Sequence, residues 1–127
     1  MSTACIEGRD YPYSIDANDG TYHFDIDGHR YRFRQWTWGE KNRVADAAID
    51  ATKGRLRVNV ARFNELMLAT TLMETDALAS ITPDSLGGLN PVLGDTLLAI
   101  AFWVNELPDE EKKASLPPSA AASRTAT

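Results

Sequence analysis

The stretch from Asn90 to Leu107 limits the possible folds of this chain more than any other. Asn90 can cap a helix, Pro91 suits the first helical position because its missing N–H has no partner there, and Pro108 discourages continuation. Every residue in the range 97–104 is apolar, so a helix here needs cover on both faces. The run is far shorter than the roughly 20 residues of a membrane span. It predicts a buried central helix, and we expect no membrane partner.

Residues 21–36 carry the strongest local signal in the chain, that of a β-hairpin. Asp27-Gly28 is a preferred pair for a two-residue type I′ turn, and side chains alternate on both sides of it. If Ile26 opposes His29, paired positions sum to 55 and one face is aromatic and apolar. That face must lie on helices, because an isolated hairpin is marginal in water. The opposite face carries a row of three arginines, which is either a solvated strand face or a binding surface: Arg30, Arg32 and Arg34.

Helical signals follow the hairpin. Thr37 and Glu40 have the spacing of a capping box, which predicts a helix from Thr37 to about Thr52. Polar and apolar side chains alternate over residues 55–60, which predicts either a short third strand or an extended segment that leads into the next helix. Asn59 can cap a second helix from Val60 to about Glu74. We expect a short helical turn after Thr82 and, following Pro108, a last short helix.

These elements predict an α+β fold, in which an N-terminal β-hairpin packs on a compact bundle of about four helices between disordered termini. The length of 127 residues and the hydrophobic content of 43% suit one domain. Residues 1–20 show no period and are predicted to form an irregular N-terminal arm. Residues 21–116 form the single globular domain. Residues 117–127 are rich in Pro, Ala, Ser and Thr, so a disordered tail is expected there.

Charge is unevenly distributed along the chain. Residues 30–57 contain eight bases and three acids, whereas residues 1–29 contain one base and six acids. The overall charge of −5 argues against general nucleic-acid binding. This basic band, residues 30–57, either attracts an acidic partner or pairs with the acidic segments of its own fold.

Motifs for catalysis or metal binding are not evident in the sequence. His23 and His29 are predicted to lie on different hairpin faces, and no zinc spacing, glycine-rich phosphate loop or nucleophile elbow occurs. We therefore expect no enzyme activity, no cofactor, no metal and no small-molecule ligand. The N-terminus lacks the apolar run of a secretory signal, and the lone Cys5 cannot form an internal disulfide. These features predict a cytoplasmic protein.

Several short motifs resemble those of small phage-tail and contractile-injection-system proteins, namely tail assembly chaperones and the baseplate-assembly proteins similar to them. The hairpin ends in a motif of the type Trp-x-Trp-Gly-Glu-Lys-Asn, and further motifs lie in the helical part: Trp36–Asn42, Asn64–Leu68, Ile81–Leu86, Gly94–Asp95 and Trp103–Asn105. The resemblance covers residues 21 to about 116. It implies a non-enzymatic protein with transient or structural contacts to tail tube, tape-measure or baseplate subunits. The N-terminal arm departs from the usual short start, which leaves open a structural role instead of a chaperone role.

The predicted partner-binding residues are the arginine row together with Trp36 and Trp38, although these tryptophans are expected first as core or hinge anchors. Arginines at every second position suit acidic side chains on an adjacent extended segment, and the hairpin is expected to offer an unpaired edge. Replacing the three arginines with Ala should leave the fold intact and weaken partner binding. The alternative is a small adaptor of an unrelated pathway that uses the hairpin edge and the basic band.

Overall fold

The computed structural model of the protein describes residues 2–52 and 54–105. Its elements in chain order are β1 (Ser2–Ile6), β2 (Arg9–Ile15), β3 (Tyr22–Ile26), β4 (His29–Phe33), α1 (Trp38–Ala47), β5 (Ile49–Thr52), β6 (Arg55–Val58), α2 (Val60–Thr71), β7 (Leu72–Thr75), α3 (Pro83–Gly87) and α4 (Pro91–Asn105). An antiparallel sheet has the strand order β1-β2-β3-β4-β7, and β5 pairs with β6 in a separate two-stranded sheet. The predicted α+β class is confirmed, with a larger sheet than one hairpin.

The central hairpin, β3 and β4, has the predicted register. Ile26 pairs with His29 and Phe24 with Tyr31, so paired positions sum to 55. Asp27 has φ 52° and Gly28 has φ 82°, the positive angles that a type I′ turn requires at both central positions. Phe24 and Tyr31 are both buried, and the Trp103 ring of α4 meets Phe24 edge-on at a centroid distance of 6.1 Å. The aromatic face of the hairpin therefore lies on a helix, as predicted.

The prediction of an irregular arm over residues 1–20 is wrong. Residues 2–15 form β1 and β2, which extend the large sheet beside β3. Glu7 and Gly8 have φ 51° and 79° and form a second two-residue turn of the same kind. Pro12 obscures the pattern because proline is rare inside sheets. It lies opposite Thr3 of β1, and β2 pairs with β3 only from Tyr13 onward, so Pro12 has no partner in β3. The boundary drawn at residue 20 therefore cuts through one sheet.

The first helix is shorter than predicted. Thr37 and Glu40 form the expected capping box, but α1 ends at Ala47 and the chain turns into β5. Ile49 and Thr52 favour extended structure because their side chains branch at Cβ, and Gly54 has φ 73° in the turn that returns the chain as β6. Of the two interpretations of residues 55–60, the short strand is confirmed for Arg55–Val58.

The second helix also ends early, at Thr71 instead of Glu74. Its predicted cap is present, since Asn59 Oδ1 accepts from the Arg62 backbone N–H at 3.1 Å. The Thr71 carbonyl accepts from the Arg34 backbone N–H at 2.9 Å, and the next four residues pair with β4 as strand β7. Strand pairing thus overrides the helical period. Met67 of α2 is fully buried, whereas Met73 of β7 is 44% exposed.

The central helix α4 is confirmed. Asn90 Oδ1 accepts from the Val92 backbone N–H at 2.9 Å, and most of the helix is buried or partly buried by the sheet and α2. Trp103 is 3% exposed and lies against Tyr13 at a centroid distance of 5.2 Å. The predicted helix end, the last short helix after Pro108 and the tail from residue 117 fall outside the described residues.

Candidate protein-binding surfaces

The arginine row lies on the polar face of the central hairpin. Arg30 is exposed, with its Nε 3.7 Å from Asp25 Oδ1. Arg32 forms ion pairs with Asp19 and, at 3.4 Å, with Glu74. The loop between β2 and β3 supplies Asp19, and the added strand β7 supplies Glu74. Of the two predicted roles for the basic band, pairing within the fold describes this part of it.

Arg34 is held by the start of α1. Its two guanidinium nitrogens donate to the two carboxylate oxygens of Glu40 at 2.6 and 2.8 Å. This pairing, with a hydrogen bond from the Thr37 backbone N–H, lowers the pKa of Glu40 from 4.5 to about 2. The same contact raises the pKa of Arg34. A bidentate pair of this kind positions the strand end against the helix, so Arg34 already has a structural role.

A shallow groove of about 420 Å³ crosses this polar face. Carboxylates and arginines line it together, including Asp25, Arg30 and Arg32. At one end His29 Nδ1 lies 3.2 Å from Asp76 Oδ1. Because both signs of charge alternate along the groove, it offers no single-sign field to a charged ligand.

The expected unpaired edge of the central hairpin is mostly occupied. β2 pairs with residues 22–24 of β3, and β7 pairs with residues 31–33 of β4. Neither neighbour is evident in the sequence, which predicts an irregular arm where β2 lies and the end of a helix where β7 lies. An extended partner cannot pair with residues 22–24 or 31–33 of this hairpin without displacing a strand. A role for the three arginines in partner binding stays a prediction, and Arg30 is the most accessible of them.

The two tryptophans of the 36–42 motif have different surroundings. Trp36 is partly buried, meets Phe63 of α2 at a centroid distance of 6.3 Å, and donates its backbone N–H to Asn105 Oδ1 at 2.8 Å. It is an anchor between the sheet and α4, as predicted. Trp38 is 82% exposed at the first position of α1, so the prediction of a core or hinge anchor is wrong for this residue. As an exposed ring it stays a predicted partner contact.

The small hairpin, β5 and β6, is fixed at its base. The Asn59 backbone N–H donates to the Ala48 carbonyl at 2.7 Å, and Arg62 Nε donates to the Ala47 carbonyl at 2.9 Å. Ala48 itself is fully buried. These hydrogen bonds join the end of α1 to the start of α2. The base of the small hairpin is therefore held in a fixed position relative to both helices.

Beyond this base, the small hairpin exposes both of its faces. Ile49 pairs with Val58, and Ala51 pairs with Leu56, so these four apolar side chains share one face. Leu56 is 76% exposed, Val58 61% and Ile49 40%. Arg55 and Arg57 lie on the opposite face, and both are exposed. Neither of them forms an ion pair with a carboxylate in the described part of the chain.

Sequence reasoning missed the small hairpin as a surface. The alternation of residues 55–58 was visible, but the alanines before it favoured a continuing helix. The signal that could have revealed it is a glycine at position 54 between two short runs containing β-branched residues. Its exposure has no sequence signature, because an alternating strand normally buries its apolar face.

The described ranges, 2–52 and 54–105, contain no cluster of three or more His, Cys, Asp or Glu side chains placed to hold a metal ion. His23 Nε2 lies 3.1 Å from the Thr21 hydroxyl, away from His29. None of the helices described is long and apolar enough to cross a membrane.

Comparison of the chain with protein-family models, with curated proteins and with solved structures gave no match.

Proposed function

We propose that this chain is a non-enzymatic assembly factor or structural component of a phage-tail-like contractile injection system, and that it acts in the cytoplasm by binding tail or baseplate proteins. The motif resemblance over residues 21 to about 116 supports the assignment to a contractile injection system. The surface of the molecule supports the mode of action, which is protein binding. No residue is assigned a catalytic role in this proposal.

One observation carries the proposal: the small hairpin exposes the apolar side chains of Leu56, Val58 and Ile49 on one face. A two-stranded hairpin is marginal in water unless its apolar face is covered. Complete burial of a Leu, Val or Ile side chain contributes about 1.5–3 kcal/mol, and each 1.4 kcal/mol changes a dissociation constant about tenfold. Even partial burial of these three residues by a partner therefore provides useful binding energy.

The position of this surface also suits an assembly protein. The base of the small hairpin is bonded to α1 and α2 through Ala48, Asn59 and Arg62. Because the base is ordered, a partner bound there adopts a defined orientation relative to the large sheet. Fixed orientation is what a component of a regular particle requires.

The test is co-purification with tail tube, tape-measure and baseplate proteins from the genome that encodes this chain, each co-expressed singly. Wild-type protein should retain at least one of them. The double substitution Leu56→Ser and Val58→Ser should reduce retention about tenfold or more, because it removes the apolar face. Val92→Ser is the matched control, since Val92 is 67% exposed on α4, away from the small hairpin.

Two results would overturn the proposal in different ways. Retention of none of these proteins by wild-type chain would reject the injection-system assignment. Equal retention by wild type and the double variant, with circular dichroism showing both folded, would reject the small hairpin as the binding surface. The triple substitution of Arg30, Arg32 and Arg34 then tests the arginine row as the alternative contact.

A further inference from the structure

We propose that the small hairpin binds an extended segment of a partner protein in which apolar and acidic residues alternate, and that this segment adds as a third strand along β6. The inference rests on the proposed function in assuming that β5 and β6 form the binding surface. It goes further by stating the chemistry and the backbone geometry of the partner.

The free edge of β6 supports strand addition. In the described part of the chain β6 pairs only with β5, so one edge of its backbone lacks a strand partner. All four β6 residues, Arg55–Val58, are exposed, so none of the elements described in residues 2–52 and 54–105 covers that edge. An unpaired strand edge presents N–H and C=O groups at the spacing that another strand needs.

The two faces of the small hairpin determine the partner's side chains. A strand added beside β6 places its successive side chains on alternate faces, next to those of β6. One set then lies beside Leu56 and Val58, which favours apolar residues. The other set lies beside Arg55 and Arg57, which favours Asp or Glu.

The arginines of the two hairpins differ in their pairing with carboxylates. In the central hairpin Arg30, Arg32 and Arg34 each lie within 4.0 Å of a carboxylate of the same chain. In the small hairpin Asp50 is opposite Arg57 in the register, but its Oδ2 lies 3.4 Å from Asn59 Nδ2, and it forms no ion pair with Arg57. The guanidinium groups of Arg55 and Arg57 thus remain available to external carboxylates.

The test uses synthetic peptides in which Val and Glu alternate, labelled for fluorescence anisotropy and titrated with the full chain. Wild-type protein should bind this peptide more tightly than a peptide of the same composition with the alternation broken. The double substitution Arg55→Glu and Arg57→Glu should weaken binding about tenfold or more. A peptide with Lys in place of Glu should bind that variant better than it binds wild type. If wild type and the double arginine variant bind the Glu peptide equally well and the Lys peptide equally well, the proposed charge complementarity is wrong.

Backbone pairing is tested separately by N-methylation of the peptide. One edge of an added strand faces β6 and the other faces away, so methylation of alternate residues should abolish binding in one frame and preserve it in the other. Binding that tolerates both frames equally would exclude strand addition. The peptides alone are also added to the Leu56→Ser and Val58→Ser variant, which should bind none of them measurably.

Analytical ultracentrifugation of the chain alone tests whether a second copy of the chain, and not another protein, covers the small hairpin. A dimer that forms at the concentrations used and is lost in the Leu56→Ser and Val58→Ser variant would overturn the proposed partner.

The outcomes of these experiments also distinguish the proposed function from the strand-addition model. Peptide binding without retention of tail or baseplate proteins rejects the injection-system assignment alone. Retention that depends on Leu56 and Val58, without any charge or alternation effect on peptides, rejects the strand-addition model alone.

Discussion

The central and the small hairpins of this protein share a sequence pattern but differ in solvent exposure. Each has a two-residue connection with glycine at its second position and positive φ there, and in each one strand alternates arginines with apolar residues. In the central hairpin Phe24 and Tyr31 are buried and Arg32 and Arg34 are ion-paired. In the small hairpin Leu56 and Val58 are exposed, and Arg55 and Arg57 form no ion pair with any described residue.

The difference lies in what flanks each hairpin. Strands β2 and β7 pair with residues 22–24 and 31–33 of the central hairpin, and Trp103 of α4 packs on its aromatic face. Acidic residues that pair with Arg32 and Arg34 come from the loop between β2 and β3, from β7 and from α1. The described part of the chain places no such neighbours beside the small hairpin. Alternation in a sequence therefore indicates two faces, but it does not indicate what covers either of them.

The sharpest way to test this comparison is to truncate one apolar residue in each hairpin. Phe24→Ala should lower the free energy of unfolding by about 3–5 kcal/mol, because Phe24 is fully buried between the rings of Tyr13, Phe33 and Trp103. Leu56→Ala should change it by less than about 0.5 kcal/mol. Denaturant unfolding measures both. Similar losses in the two variants would show that the small hairpin packs on the core.

Substitution of the turn glycines should have a smaller effect that still differs between the hairpins. Gly28 and Gly54 have φ 82° and 73°, so valine is strained at either position by about 1–2 kcal/mol. Gly28→Val should lower global stability by that amount because the central hairpin is part of the core. Gly54→Val should leave the melting temperature nearly unchanged and increase amide exchange in β5 and β6 only. A global loss with Gly54→Val would contradict the local character of the small hairpin.

The arginine pairs should give the smallest effect, and it should depend on pH. The folded-state pKa of Glu40, about 2, lies below the ordinary value of 4.5, so its contribution to stability is complete above pH 4.5 and is lost as the pH falls from 4.5 to about 2. Because the pair is partly solvated, we expect this contribution to be about 1 kcal/mol.

Glu40→Gln should remove that acid-dependent part of the unfolding free energy. Glutamine can still serve the capping box at this position, so the helix start is retained and the charge alone changes. Arg57→Gln is the control from the small hairpin and should leave the acid profile as in wild type. An unchanged acid profile in Glu40→Gln would show that the Arg34 pair contributes nothing measurable in solution.

Local chemistry allowed several elements to be predicted from the sequence alone. The Asp27-Gly28 turn and its register depend on residues adjacent in the chain, and so do the caps at Thr37, Asn59 and Asn90. The central helix was predictable because eight successive apolar residues, 97–104, can be shielded from water only inside a core. For the same reason Trp103 could be assigned to the core before the structure was known.

Only the tertiary structure decided the rest, since it depends on neighbours that are distant in sequence. Residues 72–75 continue a helical pattern, yet β4 offers a backbone edge whose hydrogen bonds they complete as β7. Arg32 became a structural residue because Asp19 and Glu74, 13 and 42 positions away, meet it on one face of the sheet. The small hairpin became a surface because none of the described elements lies over it. Local turns and caps follow from short-range sterics and hydrogen bonding, whereas burial and pairing depend on which distant elements share the space around them.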